Sequence, residues 1–320
     1  MAEKKVEFRQ IRDFGQVIGS TFEFLKGQYK PLIAAIFKNT LLLLCLTMVA
    51  LGALIYLIYT ISSFPGTSEE YIIPAFAIGT VAFVVLMVFG VQYNSTVFEF
   101  IKAYVEGEEE IGNKVSEAVK SNFWRNLGTH VGLVLVAIVV FLIPYFIMLG
   151  LIFAASNSPV AIFLTAIIFI GIIFYLMVPI SLYLPVRYFE DVDIATAAKR
   201  CFYLIREKWW LTFGVIFVIQ IIQSGITYIF ILPIYVVFIA STFLNFDNPE
   251  NLEAASESMV IFMVVIYSLM LIIMLFTYVL IQTGVAMQYF NLKEHKESTG
   301  LLGRIENMGS TTQEEDEETY

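Results

Sequence analysis

LTFGVIFVIQIIQSGITYIFILPIYVVFIA (residues 211–240) holds no charged side chain, and STFLNFDNPENLEAASESM (residues 241–259) follows it with Asp247, Glu250, Glu253 and Glu257 but no cation. A second uncharged run, residues 260–289, comes next. About 20 apolar residues in a helix cross a hydrocarbon layer of about 30 Å, so two membrane spans joined by an acidic turn are expected here. The same reading finds four more apolar runs, near residues 32–61, 72–98, 131–153 and 161–186. The turns at 62–71 and 154–160 also lack Lys and Arg, so all 19 cations fall on the other side. Basic loops stay on the cytoplasmic face during insertion, and this asymmetry predicts six spans with both termini inside. No water is present in the bilayer core to satisfy open backbone groups, so the spans must be helices.

Composition agrees. The chain is 58% hydrophobic and 15% charged, unlike a soluble globule. About thirty mixed-charge residues precede the first apolar run, which is too long for a cleavable leader and is expected to act as an uncleaved anchor. The formal net charge of −9 is concentrated at Glu314, Glu315, Asp316, Glu317 and Glu318. Residues 293–320 are accordingly expected to form a disordered acidic cytoplasmic tail, available to a protein partner.

A repeat organises the basic side. Phe14, Val17, Ile18 and Phe22 align without gaps with Val115, Ala118, Val119 and Phe123, and again with Ile194, Ala197, Ala198 and Phe202. Tyr29, His130 and Trp209 coincide under the same offsets. Intervals of 3, 1 and 4 describe one face of a helix. Lys26 and Lys30, Lys120 and Arg125, and Lys199, Arg200, Arg206 and Lys208 supply the polar face. Amphipathic helices of this kind are predicted to lie at the lipid boundary within residues 1–31 and near 113–127 and 193–209. The expected fold is therefore all-α: a polytopic bundle of six transmembrane helices over residues 32–292, in three units of interfacial helix plus helix pair.

The segment 185–210 carries Pro185, Glu190, Ala198, Arg200, Cys201, Leu204 and the pair Trp209-Trp210. It resembles the P…E…A…RS…L…(F/W)W pattern of six-helix bacterial membrane proteins related to the membrane domain of glycerophosphoryl diester phosphodiesterases. Cys201 stands where that pattern has Ser. The resemblance implies this architecture and a bacterial inner-membrane setting. The phosphodiesterase activity of the fused proteins belongs to a separate soluble barrel and is not carried over.

Chemistry-bearing patterns are sparse. Gln220, Gln223, Ser224 and Thr227 fall at i, i+3, i+4 and i+7 and, with Gln282, could line a polar path; interhelical hydrogen bonding, the commoner role of such residues, is the preferred reading. No ionisable residue sits at a span centre, which argues against ion-coupled transport. Glu99 has Lys102 one turn on as a partner. The acids at 106 and 108–110 lack calcium-loop spacing. His130 and His295 lack further ligands at metal spacing, and Cys45 and Cys201 have no disulfide role. Pro144, Pro179 and Pro233 are expected to kink their spans, and Gly128 with Gly132 hints at close helix approach. Phosphate-loop, dinucleotide and nucleophile-elbow motifs are missing, and the cations sit on membrane-apposed helices rather than on a nucleic-acid-binding domain. No cofactor is implied. The expected function is non-enzymatic engagement of anionic lipid or partner proteins through Lys26, Lys30, Arg125, Lys199, Arg200, Arg206 and Lys208, anchored by Trp209 and Trp210. A transporter with its path along the fifth span is the alternative. Oligomeric state is not legible.

Overall fold

A computed structural model describes residues 5–63, 68–108, 110–154, 158–245 and 252–298. The acidic tail at 314–318 and the middle of each of the three cation-free turns lie outside the described residues. Nine helices are present among the described residues, with no strand: α1 (Phe14–Ser63), α2 (Ser68–Glu106), α3 (Ile111–Ser121), α4 (Phe123–Ala154), α5 (Pro159–Ser181), α6 (Tyr183–Glu190), α7 (Ile194–Ile205), α8 (Trp209–Asn245) and α9 (Leu252–Glu297). Six segments are long and apolar enough to cross a membrane: those of α1, α2, α4, α5 with α6, α8 and α9. The chain is thus a multi-pass integral membrane protein.

Local chemistry explains the boundaries. Asp13 caps α1 reciprocally: its Oδ1 accepts the Gln16 N–H at 2.8 Å while the Gln16 side chain accepts the Asp13 N–H at 3.1 Å. Asp193 caps α7 by accepting the N–H groups of Ala195 and Thr196. The side-chain and backbone hydrogen bonds of Thr196 hold the Asp193 carboxyl below the usual carboxylate range. The fourth span breaks at Leu182, whose N–H turns back to the Pro179 carbonyl at 3.1 Å. Pro185 has no N–H to offer the Ser181 carbonyl four residues earlier, so the α-ladder cannot run through. Asp191 takes a left-handed φ of 52° and ends α6.

Two expectations are revised. The first interfacial helix is not a separate element, because α1 runs unbroken for 50 residues, about 75 Å at 1.5 Å per residue. Neither Gly27 nor Pro31 stops it, and Pro31 lies inside the helix. Nor does a single apolar stripe face lipid on α7. Ala197, Cys201, Leu204 and Ile205 turn inward and are buried, while Phe202 and Tyr203 point out. α3 likewise buries Val115, Ser116 and Val119 against the bundle. Counting from their Asp caps, α1 and α7 bury corresponding positions: Val17, Thr21 and Phe24 against Ala197, Cys201 and Leu204.

The packed core occupies one end of the bundle. Phe24, Leu32, Ile36, Phe98, Phe100, Ile101, Leu182, Tyr183, Leu204, Met287 and Tyr289 are its largest fully buried side chains, with Ile219. By contrast only 6% to 22% of the most apolar stretch of each span is buried. Leu42, Val49, Ile73, Phe76, Phe153, Val160, Phe163 and Ile229 are exposed there, which suits a hydrocarbon surround. The N-terminal segment docks onto the packed end. Phe8 stacks edge-on against Phe24 and Phe290, and the Arg12 N–H donates to Asn291 Oδ1 at 2.8 Å. The Arg12 guanidinium binds the carbonyls of Glu7, Phe8 and Gln10. Burial lowers its pKa, with Glu7 and Glu23 acting the other way.

Close packing sets glycine requirements. A Cβ on Gly132 would lie 2.5 Å from the Tyr183 hydroxyl and 2.9 Å from Ile194, whereas Gly128 meets nothing within 4 Å. A Cβ on Gly284 would lie 2.3 Å from Ile219 Cδ1. Gly132→Ala and Gly284→Val are expected to cost about 1–3 kcal/mol each by overpacking, read as a lowered unfolding midpoint in detergent. Gly128→Ala should leave the midpoint unchanged or raise it, since Ala favours a helix by up to about 1 kcal/mol.

Candidate functional site

The packed end gathers cations from several elements, some held in ion pairs and some at the rims of open grooves. Arg200 on α7 belongs to the first group. Its Nε donates to Glu190 Oε2 at 2.8 Å and its Nη2 to Glu190 Oε1 at 3.2 Å and to Glu297 of α9. Tyr289 Oη donates to Glu190 Oε1 at 2.8 Å, and Lys293 Nζ lies 3.4 Å from the same oxygen. One carboxylate at the end of α6 thus ties α7 and α9 together. Burial works to lower the Arg200 pKa, but its hydrogen bonds to Glu190 and Glu297 outweigh it and leave the group above the ordinary arginine range. Cys201, one residue on, is 2% exposed. Burial, reinforced by Glu190, pushes its thiol up to about 12.

Arg125 is also engaged. It donates to Asp191 at 3.0 Å and reaches Glu99 at 3.4 Å. The carboxylate of Glu99 therefore contacts Arg125 on α4, while Lys102 on its own helix acts on it electrostatically without a direct contact. Sequence spacing points to the neighbour one turn away, and the tertiary approach of α4 adds a second cation.

The second group of expected residues rims two grooves. Lys26, Lys30 and Tyr29 of α1 edge a cavity of about 750 Å³ with apolar walls from Ile226 and Phe230 of α8 and Ile273, Phe276 and Leu280 of α9. Tyr29 Oη donates to the Phe276 carbonyl at 3.2 Å and fixes that edge. Arg206, Lys208, Trp209 and Trp210 edge another cavity of about 840 Å³, walled by Gly171, Phe174 and Tyr175 of α5 and by Phe213. Trp209 stacks between Tyr175 and Phe213 at 5.5 and 5.3 Å, and its indole N–H donates to the Tyr175 carbonyl at 3.2 Å. Trp210 is largely exposed beside it. Lys199 is exposed on α7 and lines neither groove.

The polar residues of the fifth span do not stay on one face. Gln223 is buried and donates its amide to Thr227 at 3.0 Å and to Thr277 of α9 at 3.1 Å. Gln220 is exposed, and Ser224 is partly buried. Gln282 donates instead to Asn94 of α2. There it begins a chain the sequence did not reveal. The Asn94 amide meets His130 Nε2 at 3.2 Å, and His130 Nδ1 meets the Asn126 carbonyl at 2.9 Å. Because that carbonyl only accepts, Nδ1 carries the proton and Nε2 accepts from Asn94. The chain ties α9, α2 and α4. Ser95 and Tyr188 hydroxyls meet at 2.6 Å nearby. Among the described residues no cluster of three or more potential metal ligands occurs.

No protein-family model, curated protein or solved structure matches the chain.

Glu190→Gln is expected to destabilise the fold by about 1–3 kcal/mol, the worth of a hydrogen bond to a charged group. A double-mutant cycle with Arg200→Gln, followed by denaturation in mixed micelles, should return a coupling well above that of the exposed pair Lys296–Glu207. A thiol raised to about 12 stays protonated at pH 8. In a Cys45→Ser background, a soluble maleimide should therefore leave Cys201 unmodified in the folded protein and modify it once denatured, as mass spectrometry would register.

Proposed function

We propose that this is a non-enzymatic membrane protein that holds anionic lipid at its basic end, set in a bacterial inner membrane with both termini in the cytoplasm. The observation that carries this reading is the groove edged by Lys26, Lys30 and Tyr29 over a wall of Ile226, Phe230, Ile273 and Phe276. Apolar walls with cations at one margin match an acyl chain below a negatively charged headgroup. The groove at Arg206, Lys208, Trp209 and Trp210 repeats the combination on α8, with tryptophans of the kind that settle at headgroup depth. Arg125 and Arg200 act differently. They fix the helices that carry the grooves, since their charge is spent on Glu99, Asp191, Glu190 and Glu297.

The absence of Lys and Arg from residues 62–71, 154–160 and 241–259 supports the orientation. The common burial pattern of α1 and α7 behind their Asp caps supports an internal repeat of helix plus span pair. The resemblance of residues 185–210 to the six-helix bacterial family supports the setting: its Glu190 and Arg200 form an ion pair. Transport along the fifth span is less well supported, because Gln223 is satisfied by Thr227 and Thr277 and Gln220 faces outward. The acidic tail at 314–318 is a candidate contact for a cytoplasmic protein.

Each cation near an anionic surface contributes about 1 kcal/mol. The double variant Lys26→Glu/Lys30→Glu should therefore lose at least roughly 2 kcal/mol of headgroup attraction, about thirtyfold in affinity. Native mass spectrometry of gently purified protein should then show loss of bound phosphatidylglycerol. Retention equal to that of the unaltered protein would refute the proposal.

A further inference from the structure

A third cavity lies at the packed end, separate from both grooves, and differs from them in size and chemistry. It measures about 180 Å³ and is lined by Arg9, Lys102, Lys293 and Glu106 with aromatic walls that include Phe189 and Tyr289. The three cations come from three parts of the chain: the docked N-terminal segment, the last turns of α2 and the end of α9. Their convergence is a tertiary property. Phe8 anchors the first against Phe24, Tyr104 and Phe290, and the Arg12 N–H to Asn291 contact ties that segment to α9.

The charges do not cancel. Neither Arg9 nor Lys102 has a direct ion pair or hydrogen bond among the described residues, although Lys102 stands within electrostatic range of Glu99, whereas Lys293 is shared with Glu190 at 3.4 Å. Glu106 is the one carboxylate in the lining. With Lys293 set against Glu190 and Glu106 set against one further cation, the lining keeps a net positive charge that suits an anion. The volume lies well below the roughly 300–1,000 Å³ of pockets for drug-sized ligands, so a nucleotide is too large. A tetrahedral group with three terminal oxygens can give one to each cation, as lysine point charges and an arginine fork bind phosphate elsewhere.

We infer that Arg9, Lys102 and Lys293 form a binding site for a phosphate monoester group, carried by a small soluble compound or by a lipid headgroup. Aromatic side chains beside the charges exclude water from the organic part next to the phosphoryl group and strengthen its contacts.

The full chain in neutral detergent tests this with inorganic phosphate as probe, at ionic strength held constant with chloride. Phosphate should raise the unfolding midpoint saturably. Arg9→Gln and Lys102→Gln should each raise the half-saturating concentration roughly tenfold or more, the worth of one charge-assisted hydrogen bond. Lys102→Arg keeps the charge and should retain binding, which separates lost recognition from lost folding. A second arm compares nanodiscs of phosphatidylcholine with and without phosphatidic acid. Stabilisation by phosphatidic acid alone, lost in the same two variants, assigns the site to a headgroup, and stabilisation by free phosphate assigns it to a soluble compound. The Lys26→Glu/Lys30→Glu protein should respond to phosphate normally, so this site and the lipid groove stand or fall separately. No stabilisation in either arm, or equal stabilisation of Arg9→Gln and Lys102→Gln, would overturn the inference.

Discussion

The packed end of the bundle is assembled around one carboxylate. Glu190 accepts two bonds from Arg200 and one from the Tyr289 hydroxyl, with Lys293 close by. It closes α6, sits within a few residues of the cap of α7 and faces the last turns of α9. A carboxylate so surrounded gains from every partner while its own desolvation is offset by charge-assisted bonds. Without it, Arg200 keeps Glu297 and the face of Tyr203, and α6 loses its fixed relation to α9. The aromatic layer behind it depends on the same alignment, since Phe189 stacks on Tyr289 at 5.4 Å and packs at a tilt against Phe290 at 4.8 Å.

Around that knot the molecule divides its labour within single helices. The inner parts of α1, α2 and α9 pack against each other with buried aliphatic and aromatic side chains, and the remainder presents apolar groups outward. Lipid tails are as apolar as leucine and give little drive for helices to associate, so cohesion has to come from the end where water and charge are available. Inside the span region, polar bonds such as Gln223 to Thr277 and Gln282 to Asn94 connect neighbours. The grooves open where the two regimes meet, which places cations beside apolar walls.

The spans were readable in the sequence because uninterrupted apolar length and the one-sided placement of cations are properties of the chain itself. Of the segments expected to be amphipathic, that near 113–127 overlaps α3 and the start of α4, and that near 193–209 contains α7. What stayed hidden depends on contacts between distant residues. No local pattern announces that Arg125 reaches Glu99 and Asp191, or that Arg200 reaches Glu297, and so the ion pairing of two cations expected at the lipid surface stayed hidden. The relay from Gln282 through Asn94 and His130 joins three helices and has no sequence period. The break at Leu182 could have been foreseen from Pro185, whose missing N–H falls four residues after Ser181.

α9 runs 46 residues, about 69 Å, without a proline. Its middle is bonded to α8 through Thr277 and to α2 through Gln282, and its end carries Tyr289, Lys293 and Glu297. A rod fastened at both places works as a lever: reorientation of its outer half is carried to the ionic knot without a joint to absorb it. Bilayer thickness, which sets how far such a rod leans, is thereby mechanically connected to the geometry of the aqueous face.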